Sequence, residues 1–279
     1  MNLITLKLSS DTEPMEKPSE TEEPSSTPLP DHQNWIAAQD LLREKLIRED
    51  SFTWKIPEDR SDSEEGLLRY IGGVDISFSK DDPSMACGTL VVLDLRTLQV
   101  VYEDFSLVNI RVPYVPGFLA FRELLMVDGN GILHPRGFGL ACHLGVEANL
   151  PTVGIGKNLH HVDGLNQSRV RELLEAGENS CKDFINLVGC SGHIWGAAMR
   201  STQGSIKPIF ISIGHRISLQ TALRLVQMTC KYRVPEPIRQ ADIRSRDYIR
   251  KLKMNARMKF LIGETYLSWK QMLQKYCKT

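Results

Sequence analysis

The sequence predicts a mixed α/β sheet with helices packed on its faces. Two observations carry that prediction. Three strand-like apolar runs, Leu68–Phe78, Cys87–Leu95 and Gln99–Leu107, follow one another across the short polar turns Lys80–Ser84 and Arg96–Thr97, as in an antiparallel meander. Helix and strand patterns then alternate to the end of the chain, which places helices against the sheet. With 279 residues, 42% of them hydrophobic and 24% charged, the chain can bury a sizeable core.

The elements follow in order. Residues 9–30 are rich in Ser, Thr, Glu and Pro and are expected to form a disordered acidic tail, because they bury too little apolar surface to offset the entropy of ordering. Asp31 to Asp50 reads as a helix, with Trp35, Ala38, Leu42 and Leu46 at three- and four-residue spacing. Residues 57–66 form a polar linker before the meander. After it, Tyr114 to Glu123 gives a stiff Pro-Tyr-Val-Pro-Gly turn and a short amphipathic run. The apolar run Leu124–Val127 ends in Asp128, followed by Gly129, Asn130 and Gly131. Phe138–Leu150 and Ser168–Ala176 read as helices, with Pro151–Ile155 a short strand between them. Ile185–Gly189, His193–Arg200 and Pro208–Ile213 read as strands, and a helix starts at Ser218, whose hydroxyl can cap it. Ile238–Lys253 forms a basic helix, and residues 254–279 form a basic tail with helical spacing of Phe260, Leu261, Leu267, Trp269 and Leu273.

Formal net charge is zero, yet the charge is segregated. Residues 205–279 hold sixteen Lys/Arg against four Asp/Glu, while residues 1–204 hold eighteen against thirty. A basic C-terminal third suits a polyanion, or simply a pair of solvated helices. The six cysteines are scattered without CxxC or metal-ligand spacing, which fits reduced thiols in the cytosol or nucleus. The N-terminus shows no signal-peptide core, and no stretch is long and apolar enough to suggest a membrane span.

Asp75 and Asp128 each sit at the end of an apolar run, and Glu123 ends the amphipathic run before the second. Two strand-end acids with a helix acid suit a hard cation such as Mg²⁺, which takes oxygen ligands and needs only one or two protein carboxylates. Each residue also has a structural reading. Asp-Gly and Asn-Gly are common turn pairs, Glu123 fits a solvated helix face, and Asp75 fits a strand-end turn. His215, in Ser-Ile-Gly-His, suits a general acid or base or a structural position. Lys157 suits a phosphate contact or a surface site, and Asp242 suits an ion pair with its neighbouring arginines. Tyr114, held between Pro113 and Pro116, suits stacking on a base or plain packing.

Five strings, GGVDISF, PYVPGFLAFRE, VDGNGILHPRGFGLACHLGV, PTVGIGKNL and PEPIRQADIRSR, together resemble the endonuclease V family over residues 31–253. The resemblance implies a ribonuclease H-like fold. It implies Mg²⁺-dependent cleavage, with Mn²⁺ as an alternative metal, at the second phosphodiester 3′ of inosine in single-stranded RNA or of deoxyinosine in DNA. The products would carry 5′-phosphates. Carried over residue by residue, Asp75 and Asp128 would hold the metal, and Glu123, His215 and Asp242 would complete the catalytic set. Tyr114 would be the base-separating wedge, and Pro113 beside it would also bind substrate. Lys157 would lie near the cleaved strand, and Gly129 and Gly131 would wall the pocket for a flipped base. A monomer in the cytoplasm and the nucleus or nucleolus is the expectation that goes with it.

The likeness is interrupted at one point. In the family the helix that begins at PGFLAFRE continues for several turns before the strand ending in VDGNG, whereas here Leu124 follows Glu123 directly, about twenty residues short. If Leu124–Val127 stays a strand, Glu123 lies roughly 16 Å from Asp128 at about 3.3 Å per residue, too far to share one ion. The expectations are therefore two: an active inosine-directed endonuclease, or a catalytically impaired form that binds such RNA or folds poorly.

Overall fold

The computed structural model describes residues 30–57, 65–80, 82, 85–109, 124–176, 184–202, 207–252 and 254. Expectations for the acidic tail, for Pro113, Tyr114 and Glu123, and for the tail beyond residue 254 lie outside them. Met1–Ala37 forms a unit of its own, described only from Pro30, where helix α1 (Pro30–Glu44) begins. The second unit, from Ala38, contains the sheet.

Eight strands form that sheet: β1 (Tyr70–Phe78), β2 (Met85–Asp94), β3 (Val100–Asn109), β4 (Leu124–Asp128), β5 (Thr152–Gly156), β6 (Phe184–Val188), β7 (Ile194–Met199) and β8 (Ile209–His215). Their spatial order is β3-β2-β1-β4-β5-β8-β7-β6. The first three form the expected antiparallel meander, and β4 and β5 then run parallel to β1. Leu124–Asp128 is therefore a strand, held on both sides. The β4–β5 crossover is α2 (Leu140–Ala148), nine residues or about 13 Å long at about 1.5 Å per residue, enough to return along a five-residue strand. Beyond β5, β8, β7 and β6 continue the sheet in antiparallel steps.

Alternation along the strands decides which side chains meet which helices. On one face Ile71, Leu124, Met126, Val153, Ile155, Ile209 and Ile211 pack against α4 (Leu219–Thr229), through Ala222, Leu225 and Val226, and against α5 (residues 236–252), through Ile238 and Ala241. On the other, Val127 meets Ala141 and Leu144 of α2, and Leu187, Ala198 and Phe210 meet Val170 and Leu174 of α3 (Gln167–Ala176). As expected, Ser218 caps α4, its hydroxyl accepting from the Thr221 N–H at 3.2 Å.

Two close approaches set the helix positions. A Cβ on Gly145 of α2 would lie 3.2 Å from a methyl of Thr152 and closer to its hydroxyl, so the helix backbone sits directly on β5. A Cβ on Gly73 of β1 would lie 2.8 Å from the Pro237 Cα and closer still to the Pro237 carbonyl, so the start of α5 rests on β1.

Candidate active site at the carboxyl ends of three parallel strands

The last paired residues of β1 and β4 are Val74 and Val127, and the next residue on each strand is an aspartate. Asp75 and Asp128 are thus level on adjacent parallel strands. Strand parity puts both on the α4–α5 face, because they continue the series Ile71–Gly73–Asp75 and Leu124–Met126–Asp128. Lys157 continues Val153–Ile155 on β5 in the same way, and its ammonium pairs with an Asp128 carboxylate oxygen. Asp75 is not at a strand end as expected: β1 runs on to Phe78 against β2, and only its β4 side is open at this level.

Helix α5 closes the site from above. Ser245 donates to Asp75 Oδ2 at 3.1 Å, Ser77 donates to the same oxygen at 3.1 Å, and the two hydroxyls lie 2.7 Å apart. The Asp242 carbonyl, 2.9 Å from the Ser245 Oγ, is the alternative acceptor for that hydroxyl's single proton. Asp242, one helical turn back, adds its charge to that of Asp128 in facing Asp75, while its own carboxylate pairs with Arg246 at 2.7 Å. Asp75 is only 6% exposed. Burial, then the charge of Asp128 close by, and then Asp242 push its pKa up to about 6, against the pull of the Ser245 hydrogen bond.

The donor set fits a hard divalent cation. Asp75 takes hydroxyl donors from Ser77 and Ser245 and shares a hydrogen bond with the Asp128 carboxyl, with no cationic partner among the bonds described, and the groups around it are oxygens of the kind Mg²⁺ takes. Among the described residues no group of three or more His, Cys, Asp or Glu is placed to hold a metal ion.

The structure separates His215 from this group. In the antiparallel β5–β8 pairing, His215 lies opposite Thr152, whereas Phe210 lies opposite Gly156. His215 is therefore at the other end of the sheet from the acids. It is 3% exposed, its Nδ1 accepts the Ile47 N–H at 3.2 Å, and burial followed by the Arg216 charge depresses its pKa to about 4. It is a neutral buried acceptor there, because an antiparallel strand delivers its last residue to the rim where the parallel strands begin. Gly131 also departs from expectation. Its N–H donates to Ser212 Oγ at 2.8 Å, its carbonyl accepts from the Gly139 N–H at 2.9 Å, and a Cβ would strike the Ile213 carbonyl. It lets the loop lie against β8 rather than walling an open pocket. Gly129 remains half-buried at the strand end, its N–H donating to the Ile155 carbonyl at 3.1 Å.

Residues not singled out in the sequence also belong to this rim. Ser77 and Ser245 were legible as same-face neighbours of Asp75 and Asp242, but only the docking of α5 brings them together. His134, on the loop after β4, packs edge-to-face on His160, on the loop after β5, with centroids 6.1 Å apart. Burial, then His160 and Arg136, hold the His134 pKa below the usual imidazole value. The HPR string, two residues after Asp128-Gly-Asn-Gly, was the signal for it.

A mixed sheet ordered 3-2-1-4-5, with acids level on its first and fourth strands, defines a ribonuclease H-like nuclease. The sequence profile described as Endonuclease V matches residues 50–243. The chain is 45% identical to mouse endonuclease V over 242 residues, covering 78% of this chain and 69% of that protein. It is 44% identical to the human protein over 243 residues, covering 78% and 83%. The crystal structure of the human catalytic domain superposes with a TM-score of 0.70 at 41% identity, over 80% of this chain and 98% of that one. An endonuclease V of Ciona intestinalis, in complex with a DNA containing an inosine followed by a ribo-adenosine, superposes with a TM-score of 0.66 at 31% identity, over 80% and 99%. The chain belongs to the endonuclease V family and is a metal-dependent endonuclease by that membership. Since 78% of 279 residues is about 218, the 242-position alignment with the mouse protein faces gaps on this side, in keeping with the shortened stretch before Leu124.

Proposed function

We propose that this chain is a Mg²⁺-dependent endonuclease that cuts the second phosphodiester 3′ of inosine in single-stranded RNA, and of deoxyinosine in DNA, leaving 5′-phosphates. Mn²⁺ would substitute for Mg²⁺. The single observation that carries the reading is the level placement of Asp75 and Asp128 on parallel strands, with Lys157 against Asp128. That pair is assembled by strand register and does not require the missing helix. The inosine specificity draws on the inosine-containing complex of the Ciona relative.

Asp75 and Asp128 would hold the cation. When bound, it supplies charge against the scissile phosphate and a water activated at neutral pH. The Ser77 and Ser245 hydroxyls fix the Asp75 carboxylate in one orientation. Asp242 adds negative charge that strengthens the site's hold on a cation. The Lys157 ammonium screens Asp128 and sits where a phosphate oxygen of the cleaved strand would gain a second positive partner. The chain would act as a monomer in the cytoplasm and the nucleus or nucleolus.

One observation favours the impaired reading. Leu124, bonded to Glu123, opens β4 at the rim opposite Asp128, four residues or about 13 Å along the strand. The deciding experiment is cleavage of a single-stranded RNA with one inosine, with Mg²⁺ and with EDTA, beside Asp75→Asn. A metal-dependent cut one nucleotide beyond the inosine, lost in Asp75→Asn, establishes the enzyme. Retained binding without any cut establishes the impaired form.

A further inference from the structure

The strand ends at the acid rim expose carbonyls that the sheet cannot satisfy, and one side chain collects them. Arg233 lies on the segment between α4 and α5. Its Nε donates to the Lys207 carbonyl at 3.1 Å, and its Nη2 donates to the carbonyls of Lys157 and Pro208, each at 3.1 Å. Lys157 is the first residue beyond β5, and Lys207 and Pro208 immediately precede β8. The guanidinium therefore staples the end of β5 to the start of β8. Arg233 is itself held, its carbonyl accepting from the Ser201 hydroxyl at 2.6 Å just beyond β7. Strands β5 and β8 are thus tied at one rim through the Arg233 guanidinium, and the segment beyond β7 joins them through the Arg233 carbonyl.

Lys157 is also the residue whose ammonium pairs with Asp128. Past the ladder, its backbone would otherwise have one soft pair of dihedrals between the strand and the loop that carries His160. We propose that Arg233 is a positioning residue for catalysis: by clamping the Lys157 carbonyl, it aims the Lys157 ammonium at Asp128 and the scissile phosphate. The proposal rests on the nuclease reading for its kinetic consequences, though not for its structural one. Lysine could not replace Arg233, because one ammonium cannot span carbonyls approached from two different nitrogens of a planar fork.

The test combines kinetics with a direct view of the lysine. Misplacement of a reacting group by about 1 Å costs up to about 100-fold in rate, so Arg233→Ala is expected to lower kcat about 10- to 100-fold with KM nearly unchanged. Free guanidinium should restore part of it. Because the effect passes through Lys157, the double variant Arg233→Ala with Lys157→Ala should be no slower than Lys157→Ala alone. Losses that multiply would overturn the proposal. A ¹H–¹⁵N spectrum tuned to lysine ammonium groups should show a protected Lys157 signal in the unaltered chain, assigned by its loss in Lys157→Ala, and a weakened one in Arg233→Ala. Should Arg233→Ala not fold, Arg233→Gln takes its place. An unchanged Lys157 signal in a folded Arg233 variant would refute the clamp. Should the unaltered chain cut no inosine strand, the nuclease reading fails, and the ammonium spectrum by itself decides the proposal.

Discussion

Replacing Gly73 by alanine should disable the site from a position that touches no substrate. Gly73 lies under the first turn of α5, where an added methyl would sit 2.8 Å from the Pro237 Cα and closer to its carbonyl. Ordinary contact begins at 3.4 Å, and backbone cannot rotate away as a side chain can, so the helix must lift by well over half an ångström. The Ser245–Asp75 hydrogen bond, now 3.1 Å, would then pass about 3.6 Å, where it is no longer a bond. The Phe105–Tyr248 stack, at 4.6 Å between centroids, would open with it. Overpacking costs about 1–3 kcal/mol, and each kcal/mol lowers the melting temperature by about 2–4 °C in a domain of this size. Cutting should fall at least about 10-fold, since Asp75 loses a fixed orientation. The assay is thermal unfolding beside cleavage of inosine RNA well below the midpoint. Gly66→Ala is the control: its φ of +76° brings strain of about 1–2 kcal/mol, but no atom lies within 4 Å of the new methyl. If Gly73→Ala melted and cut like the parent chain, or if Gly66→Ala lost activity to the same extent, α5 would not be the element that orients Asp75.

Asp75→Asn should abolish cutting and yet raise the melting temperature at pH 7. The folded-state pKa near 6 lies above the usual 3.8, so the group's contribution is lost as pH rises from about 4 through 6, and an uncharged amide avoids a cost of up to about 3 kcal/mol. If the Asp75→Asn variant melted lower at pH 7, burial of charge would not be what raises that pKa. His215 has the opposite sense. With its pKa depressed to about 4, its contribution is present above about pH 6.5 and is lost as pH falls toward 4, by up to about 3 kcal/mol, and His215→Gln should flatten the acid limb of the stability curve. Brief alkylation of the folded chain should label exposed Cys190 and spare Cys142, whose thiol burial pushes up to about 12; equal labelling in a mass spectrum would contradict the described burial. Binding to RNA should weaken as salt rises in proportion to the phosphates neutralised by the basic C-terminal third; a flat salt titration would remove that surface from the contact.

Much of the architecture was legible because it rests on local periodicity. Apolar alternation located the meander, the short strands before Asp128 and Lys157, and the helix capped by Ser218. Parity along those strands is also a sequence property, and it assigns Asp75, Asp128 and Lys157 to one face once the strands are known to be parallel neighbours. The recognisable strings around these residues were enough to identify the family.

Other features depended on strand direction and docking, which no local pattern records. His215 ends an apolar strand just as Asp128 does, but β8 runs antiparallel to β5, so the same local pattern delivers it to the opposite rim. Gly131 read as a pocket glycine and proved to be a contact glycine, because β8 passes against the loop. Ser77 and Ser245, 168 residues apart, meet only because Gly73 lets α5 rest on β1. The sequence by itself determined which residues carry charge and on which face of each element they lie, since side-chain period is set by the backbone of one segment. Which of them share a site was decided by tertiary structure alone, because strand order, strand direction and helix approach are properties of contacts between distant segments.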